Sequence, residues 1–104
     1  MATAVQMDKV FTGGSSNSQS TTYNWVGGVG QFMAKGTWDT ATLKMQMSPD
    51  EGTTWIDIGT SVTFTSDGIG NFELGPSDIR ADLSSVGAST SLDCWMTVRH
   101  GKAL

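Results

Sequence analysis

The sequence predicts an all-β fold: a single-domain antiparallel β-sandwich, jelly-roll or Ig-like, with little or no helix. Three observations carry this expectation. From Tyr23 onward apolar residues recur with period two, which puts them on one face of a strand. Turn signals separate these runs at spacings of about 8–12 residues, the rhythm of a sandwich or barrel. The composition is that of a strand-and-turn chain: 13 Gly, 15% charged residues, and Ser plus Thr at about a quarter of the 104 positions.

Taken in order, residues 1–22 read as an N-terminal arm followed by a polar Gly/Ser-rich loop, and residues 23–104 as the sandwich domain. Within the arm, residues 5–11 suit a segment that orders against a neighbour or a plain edge strand; residues 12–22 can bury almost nothing and read as a loop or flexible linker. Gly27, Gly28 and Gly30 precede Gln31-Phe32-Met33 and are expected to bend or bulge a strand. Leu43, Met45 and Met47 alternate with Thr42, Lys44 and Gln46, and Val62 and Phe64 with Thr63 and Thr65. Ile79, Ala81 and Leu83 alternate with Arg80 and Asp82, and Leu92, Cys94, Met96 and Val98 with Asp93, Trp95, Thr97 and Arg99. Turns are expected at Gly27-Gly28, Lys35-Gly36, 49–52, 66–68, 75–77 and 86–88. Residues 76–83 carry one alternative, a single helical turn capped by Ser77 or Asp78.

Charge and chemistry exclude several functions. The net charge is −4 and the six Lys and Arg are scattered, so the basic stripe that nucleic-acid phosphates require is missing. No run approaches the ~20 apolar residues of a membrane helix, and the N-terminus lacks a secretory start, so a soluble, unprocessed chain is expected. The single cysteine, Cys94, cannot form an internal disulfide. It is in phase with Leu92, Met96 and Val98, as a small buried hydrophobe would be. His100, the only histidine, has no catalytic or metal-binding partner at useful spacing and reads as solvent-facing. Asp50, Glu51 and Asp57 do not match a calcium-loop spacing and read as solvated turn formers. No phosphate-binding glycine loop leads into a helix. Neither catalytic residues, nor a cofactor, nor a metal is therefore expected, and the chain is not read as an enzyme.

The most specific local feature is Ser48-Pro49-Asp50-Glu51-Gly52-Thr53-Thr54-Trp55, which fits S-x-D-x-G-x-T-W. Pro49 presets the turn, the Asp50 carboxylate can accept amide hydrogen bonds across the tip, and Gly52 supplies a positive φ. Ser48, Asp50, Gly52, Thr54 and Trp55 are thus the candidate structural hairpin, with Trp55 anchoring its base in the core. The string resembles the Asp-box hairpin of sialidases and other β-proteins, where the box is a folding element; here there is one copy in a chain too short for a propeller. Four Trp is a high count for this length. Trp38, before the strand that leads to the hairpin, and Trp95, out of phase with its own strand's apolar face, are the candidate interface residues. A second packed sheet face is the competing explanation for them.

Residues 32–55 read F-x-x-x-G-T-W-x-x-A-T-x-x-x-Q-x-S-P-D-x-G-x-T-W, followed by Ile56-Asp57-Ile58, Asp67-Gly68, Phe72-Glu73-Leu74 and Ile79-Arg80-Ala81. This pattern, covering about Phe32 to Met96, resembles small virion structural proteins of tailed bacteriophages of the head decoration, or cement, type. The resemblance implies a β-sandwich that assembles as a homo-oligomer, a trimer favoured, and binds the major capsid protein or another virion protein to stabilise the shell. It places the chain in the virion, after assembly in the host bacterial cytoplasm. The alternatives are a tail, fibre or collar component and, from another class, a carbohydrate-binding module stacking sugars on Trp38, Trp55 or Trp95.

Overall fold

The computed structural model describes residues 7–98, and His100 and the first six residues lie outside it. The described chain is all-β, with two antiparallel sheets packed face to face. Ten strands follow in order: β1 Met7–Gly14, β2 Ser18–Gln19, β3 Tyr23–Trp25, β4 Gly28–Thr37, β5 Thr42–Ser48, β6 Ile56–Asp57, β7 Thr63–Phe64, β8 Gly68–Leu74, β9 Ser77–Ser84 and β10 Ser91–Thr97. One 3₁₀ turn, Thr60–Val62, interrupts them.

The first sheet has the order β1-β10-β4-β8. In the second, β9 and β5 are the long central strands. β2 and β3 pair in line along the outer side of β9, and β6 and β7 in line along the outer side of β5. Counting each broken edge as one strand leaves eight, and the pairing is nested: first with last, second with second-last, third with third-last, fourth with fourth-last. That is an antiparallel ribbon rolled up on itself, the jelly roll, the first of the two topologies the sequence predicts.

The period-two runs become the facing layers of the core. Phe32, Ala34, Phe72, Leu92, Cys94 and Met96 point inward from the first sheet; Leu43, Met45, Ile79, Ala81 and Leu83 point inward from the second. Two aromatic pairs span the gap. Trp25 on β3 tilts against Phe72 on β8 at 5.1 Å, and Phe64 on β7 stacks on Phe32 of β4 at 5.6 Å; such pairs contribute about 0.5–1.5 kcal/mol each beyond their buried area. Phe64 reaches Phe32 because the 3₁₀ turn tucks under β8. There Gly70 lies so close to the Ser61 carbonyl that a Cβ would run into it.

Three expectations need correction, and one alternative is set aside. Residues 7–19 are not an arm outside a domain that begins at 23. β1 is an edge strand on β10, the second of the two readings given for residues 5–11, and β2 belongs to the second sheet. Nor do residues 12–22 behave as a linker. Gly13 N donates to Asp93 Oδ1 (2.9 Å), Asn17 Oδ1 accepts from Val86 N (3.2 Å), and Ser20 exchanges two 2.9 Å hydrogen bonds with Ala81. The polar side chains that bury little apolar area instead satisfy backbone groups of distant strands. The turn expected at Lys35-Gly36 is displaced: β4 continues to Thr37, and the chain reverses at 38–41, where Asp39 and Thr40 take left-handed φ values of 42° and 73°. Residues 76–83 form no helical turn, since β9 pairs with β5 from Ile79 to Ser84 and with β3 from Ser77 to Ile79.

Candidate interaction surface

The 48–55 turn joins β5 to β6 and is organised by two side chains. Ser48 is buried, and its Oγ accepts from Gly52 N (2.8 Å) and Asp50 N (3.3 Å) while donating to Asp50 Oδ1 (2.9 Å). The same Asp50 oxygen accepts from Thr54 N at 2.7 Å. The hydrogen bonds from Thr54, then that from Ser48, hold the Asp50 carboxyl below the usual carboxylate range. Gly52 has φ +91°, a conformation that L side chains rarely adopt. Ser48, Asp50, Gly52 and Thr54 are therefore brought together as one turn.

Trp55 is placed otherwise than expected. It is half-buried and outside the core, on the outer face of the second sheet, where the Arg80 guanidinium stacks over its ring at 4.0 Å. The reason is the phase of the strands: Arg80 alternates with inward Ile79 and Ala81, so it points out and offers the indole a flat cationic partner. Arg80 Nε donates to Gln46 Oε1 (2.9 Å), Gln46 Nε2 to Asp57 Oδ1 (2.9 Å), and Lys44 Nζ pairs with Asp57 Oδ2 (3.0 Å). This outer face is a connected polar layer, and the bonds from Gln46 and then Lys44 lower the Asp57 pKa. The core tryptophan is Trp25, fully buried, with Nε1 donating to the Leu74 carbonyl at 3.3 Å. Its signal in the sequence is slight: three alternating residues, Tyr23-Asn24-Trp25, ahead of a pair of glycines.

The outer face of the first sheet differs in kind. Register places Lys9, Trp95, Met33 and Ile69 opposite one another on β1, β10, β4 and β8, so one row crosses the sheet. Three of its four residues are apolar, and all four point away from the core. Ile69 is 63% exposed, and Val29, further along β4, is 55% exposed. The Lys9 ammonium lies 5.2 Å from the Trp95 ring centroid and 3.5 Å from Asp93 Oδ1, covering one end of the row. At the other end Trp95, Met33, Ile69, Lys35 and Asp67 line a shallow concavity of about 400 Å³. The neighbouring row, Met7, Thr97, Gln31 and Asn71, is more polar, and the buried Thr97 hydroxyl accepts from Gln31 N at 3.1 Å.

Trp38 sits in the β4–β5 turn, not on this row. Its Nε1 donates to Asp67 Oδ1 at 2.8 Å, and Gly36 N donates to the same oxygen at 3.0 Å. These two bonds, the indole's first, pull the Asp67 pKa down. Asp67 thus ties Trp38 to the rim of the Trp95 concavity. Met33, Ile69 and Val29 are the surface residues that sequence reading missed. The available signal was apolar residues in antiphase with the buried Phe32, Ala34 and Phe72 of their own strands.

For chemistry the described residues offer little to assemble. No group of three His, Cys, Asp or Glu side chains converges among them, and Asp50 and Asp57 belong to the separate networks above. Cys94 is buried, and burial pushes its thiol above the usual range, which disfavours the reactive thiolate. Neither a family model, nor a curated protein, nor a solved structure matches this chain.

Proposed function

We propose that this chain is a structural protein of a tailed-phage virion that decorates the capsid, docking the outer face of its first sheet on the major capsid protein lattice and stabilising the shell. The observation that carries this reading is the Trp95–Met33–Ile69 row, an apolar stripe on a sheet face that solvated sandwiches normally keep polar. Aromatic and Met side chains are the types enriched where protein surfaces meet. Jelly rolls recur in viral capsid domains, which supports the reading as analogy of fold. The motifs of residues 32–96 point the same way by resemblance. In this reading the 48–55 turn is a folding element of Asp-box type, and work is done by interfaces, without catalysis or a cofactor.

The test is co-sedimentation of the purified chain with undecorated shells of the phage that encodes it. Saturable binding at many copies per shell, lost in Trp95→Ala, is the expected result. No binding by the folded protein refutes decoration, and binding at few copies per particle indicates a tail, fibre or collar component. The Trp95 concavity, with Lys35 and Asp67 at its rim, favours one second reading, a sugar-stacking platform as in lectin-type jelly rolls. Tryptophan fluorescence unchanged across a glycan panel would exclude it.

A further inference from the structure

The edges of an antiparallel sheet present outward amide and carbonyl groups that can accept another strand, and proteins blunt them with bulges, charges or brevity. Three of the four edges described here are blunted. Those of the second sheet are broken into pieces of two or three residues, β2 with β3 and β6 with β7. β1 carries two register shifts against β10 and an exposed Lys9. β8 is different. It runs seven residues in unbroken register against β4, from Gly28↔Leu74 to Ala34↔Gly68, contains neither Pro nor Lys, and exposes Ile69, Asn71 and Glu73. Among the described residues β4 is its sole strand partner.

The geometry points to a second copy of this chain on that edge. Two β8 strands pair antiparallel about a two-fold axis at Asn71 and join two four-stranded sheets into one of eight. The register follows from sterics and charge. Pairing centred on Asn71 uses all seven residues and sets Ile69 opposite the second copy's Glu73, Gly68 opposite Leu74, and Gly70 opposite Phe72, so small faces large and no like charges meet. A slip centred on Gly70 sets Glu73 against Asp67 twice over, two carboxylates facing each other. One centred on Phe72 runs Pro76, which has no N–H to give, against Gly68. A slip by one residue turns the outer face of one copy onto the core side of the other.

This inference does not rest on capsid binding, and it replaces the trimer of the resemblance with a two-fold pair. It does bear on docking, because two Trp95–Met33–Ile69 rows then lie on one continuous outer face. The experiment is sedimentation equilibrium of the full chain together with cysteine cross-linking, for which buried, unreactive Cys94 gives a low background. The expected mass is twice 11.0 kDa, falling toward one chain on dilution. Asn71→Cys should oxidise to a covalent dimer. Glu73→Cys alone should not, because its two copies lie about 13 Å apart along the paired strands, beyond disulfide reach of roughly 7 Å. An equal mixture of Ile69→Cys and Glu73→Cys should cross-link. The double variant Ile69→Lys with Asn71→Lys, both at exposed positions, should sediment as a monomer with unchanged far-UV circular dichroism. A monomer at every concentration, a trimer, or Glu73→Cys cross-linking as fast as Asn71→Cys would overturn the pairing. Shell pelleting is read separately, so loss of capsid binding and loss of the dimer are distinguishable.

Discussion

Ser48→Ala removes the hydroxyl around which the β5–β6 turn is built, with no change of backbone preference large enough to mask the effect. Three hydrogen bonds go: two accepted, from Gly52 N at 2.8 Å and Asp50 N at 3.3 Å, and one donated to Asp50 Oδ1 at 2.9 Å. Ser48 is buried and both bonds it accepts are part-buried, so the amides it serves are only partly open to water. A buried donor without a partner costs ~1–3 kcal/mol; the 3.3 Å bond is weak and Gly52 is only half-buried, which puts the total at about 2 kcal/mol. At ~4–8 °C per kcal/mol for a domain of this size, Tm falls by about 10 °C. Urea unfolding followed by tryptophan fluorescence should show a lower midpoint with an unchanged slope, since the surface exposed on unfolding is the same. Thr53→Ala, exposed on the same turn, is the control and should stay within about 3 °C of the parent. A Ser48→Ala protein within about 0.5 kcal/mol of the parent would refute the view that this side chain organises the turn.

Further outcomes follow from other contacts. Trp25→Ala should cost ~3–5 kcal/mol as a buried aromatic, whereas Trp55→Ala, which loses mainly its stacking on Arg80, should cost about 1 kcal/mol; equal urea midpoints for the two variants would return Trp55 to the core. Gly52→Val forces a β-branched residue to φ +91° and should lower stability by ~1–3 kcal/mol, and an unaltered melting temperature would count against the turn geometry. Trp95→Ala should weaken shell binding far more than it lowers Tm, and a parallel loss of both would make Trp95 a folding residue. Hydrogen bonds, chiefly from Thr54, Gln46, Trp38 and Gly13 respectively, lower the pKa values of Asp50, Asp57, Asp67 and Asp93. Their unfolded forms bind protons more tightly, so stability is complete above about pH 5 and is lost as pH falls through ~4 toward the lowered folded values. A Tm flat from pH 7 to about 2 would contradict this linkage, and Asp67→Asn should shallow the acid slope.

The parts of the fold legible in the sequence are those whose cause is local. β5, β9 and β10 show clean alternation because each is a long strand with one face on the core, and the 48–55 turn is readable because Ser48, Asp50 and Gly52 act within five residues of one another. The sequence reads Trp55 into the core because β6 is only two residues long, too short to show its phase, and Arg80, which draws the indole outward, lies 25 positions away. The polar run from Gly13 onward reads as structureless because its partners, Asp93, Val86 and Ala81, are 80, 69 and 61 residues distant. The Trp95–Met33–Ile69 row was half visible. Each residue is in antiphase on its own strand, but only the register between β10, β4 and β8 shows that they touch one patch.

The nested strand order also dictates when the molecule can close. β10 is the last of the described strands to be synthesised, yet it lies inside the first sheet, between β1 and β4. Until it arrives β1 has no strand partner among the described residues, and β4 with β8 is a two-stranded ribbon, marginal by itself. The second sheet meets no such delay, since β5 can gather β6 and β7 and then β9 as the chain emerges. On the ribosome, Phe32 of β4 therefore lies beside an empty central lane, an interval in which nascent chains are open to misassembly. Because closure joins segments from opposite ends of the chain, folding belongs in the slow range of high-contact-order β-proteins. Loss of the β10 segment would part β1 from β4 and β8.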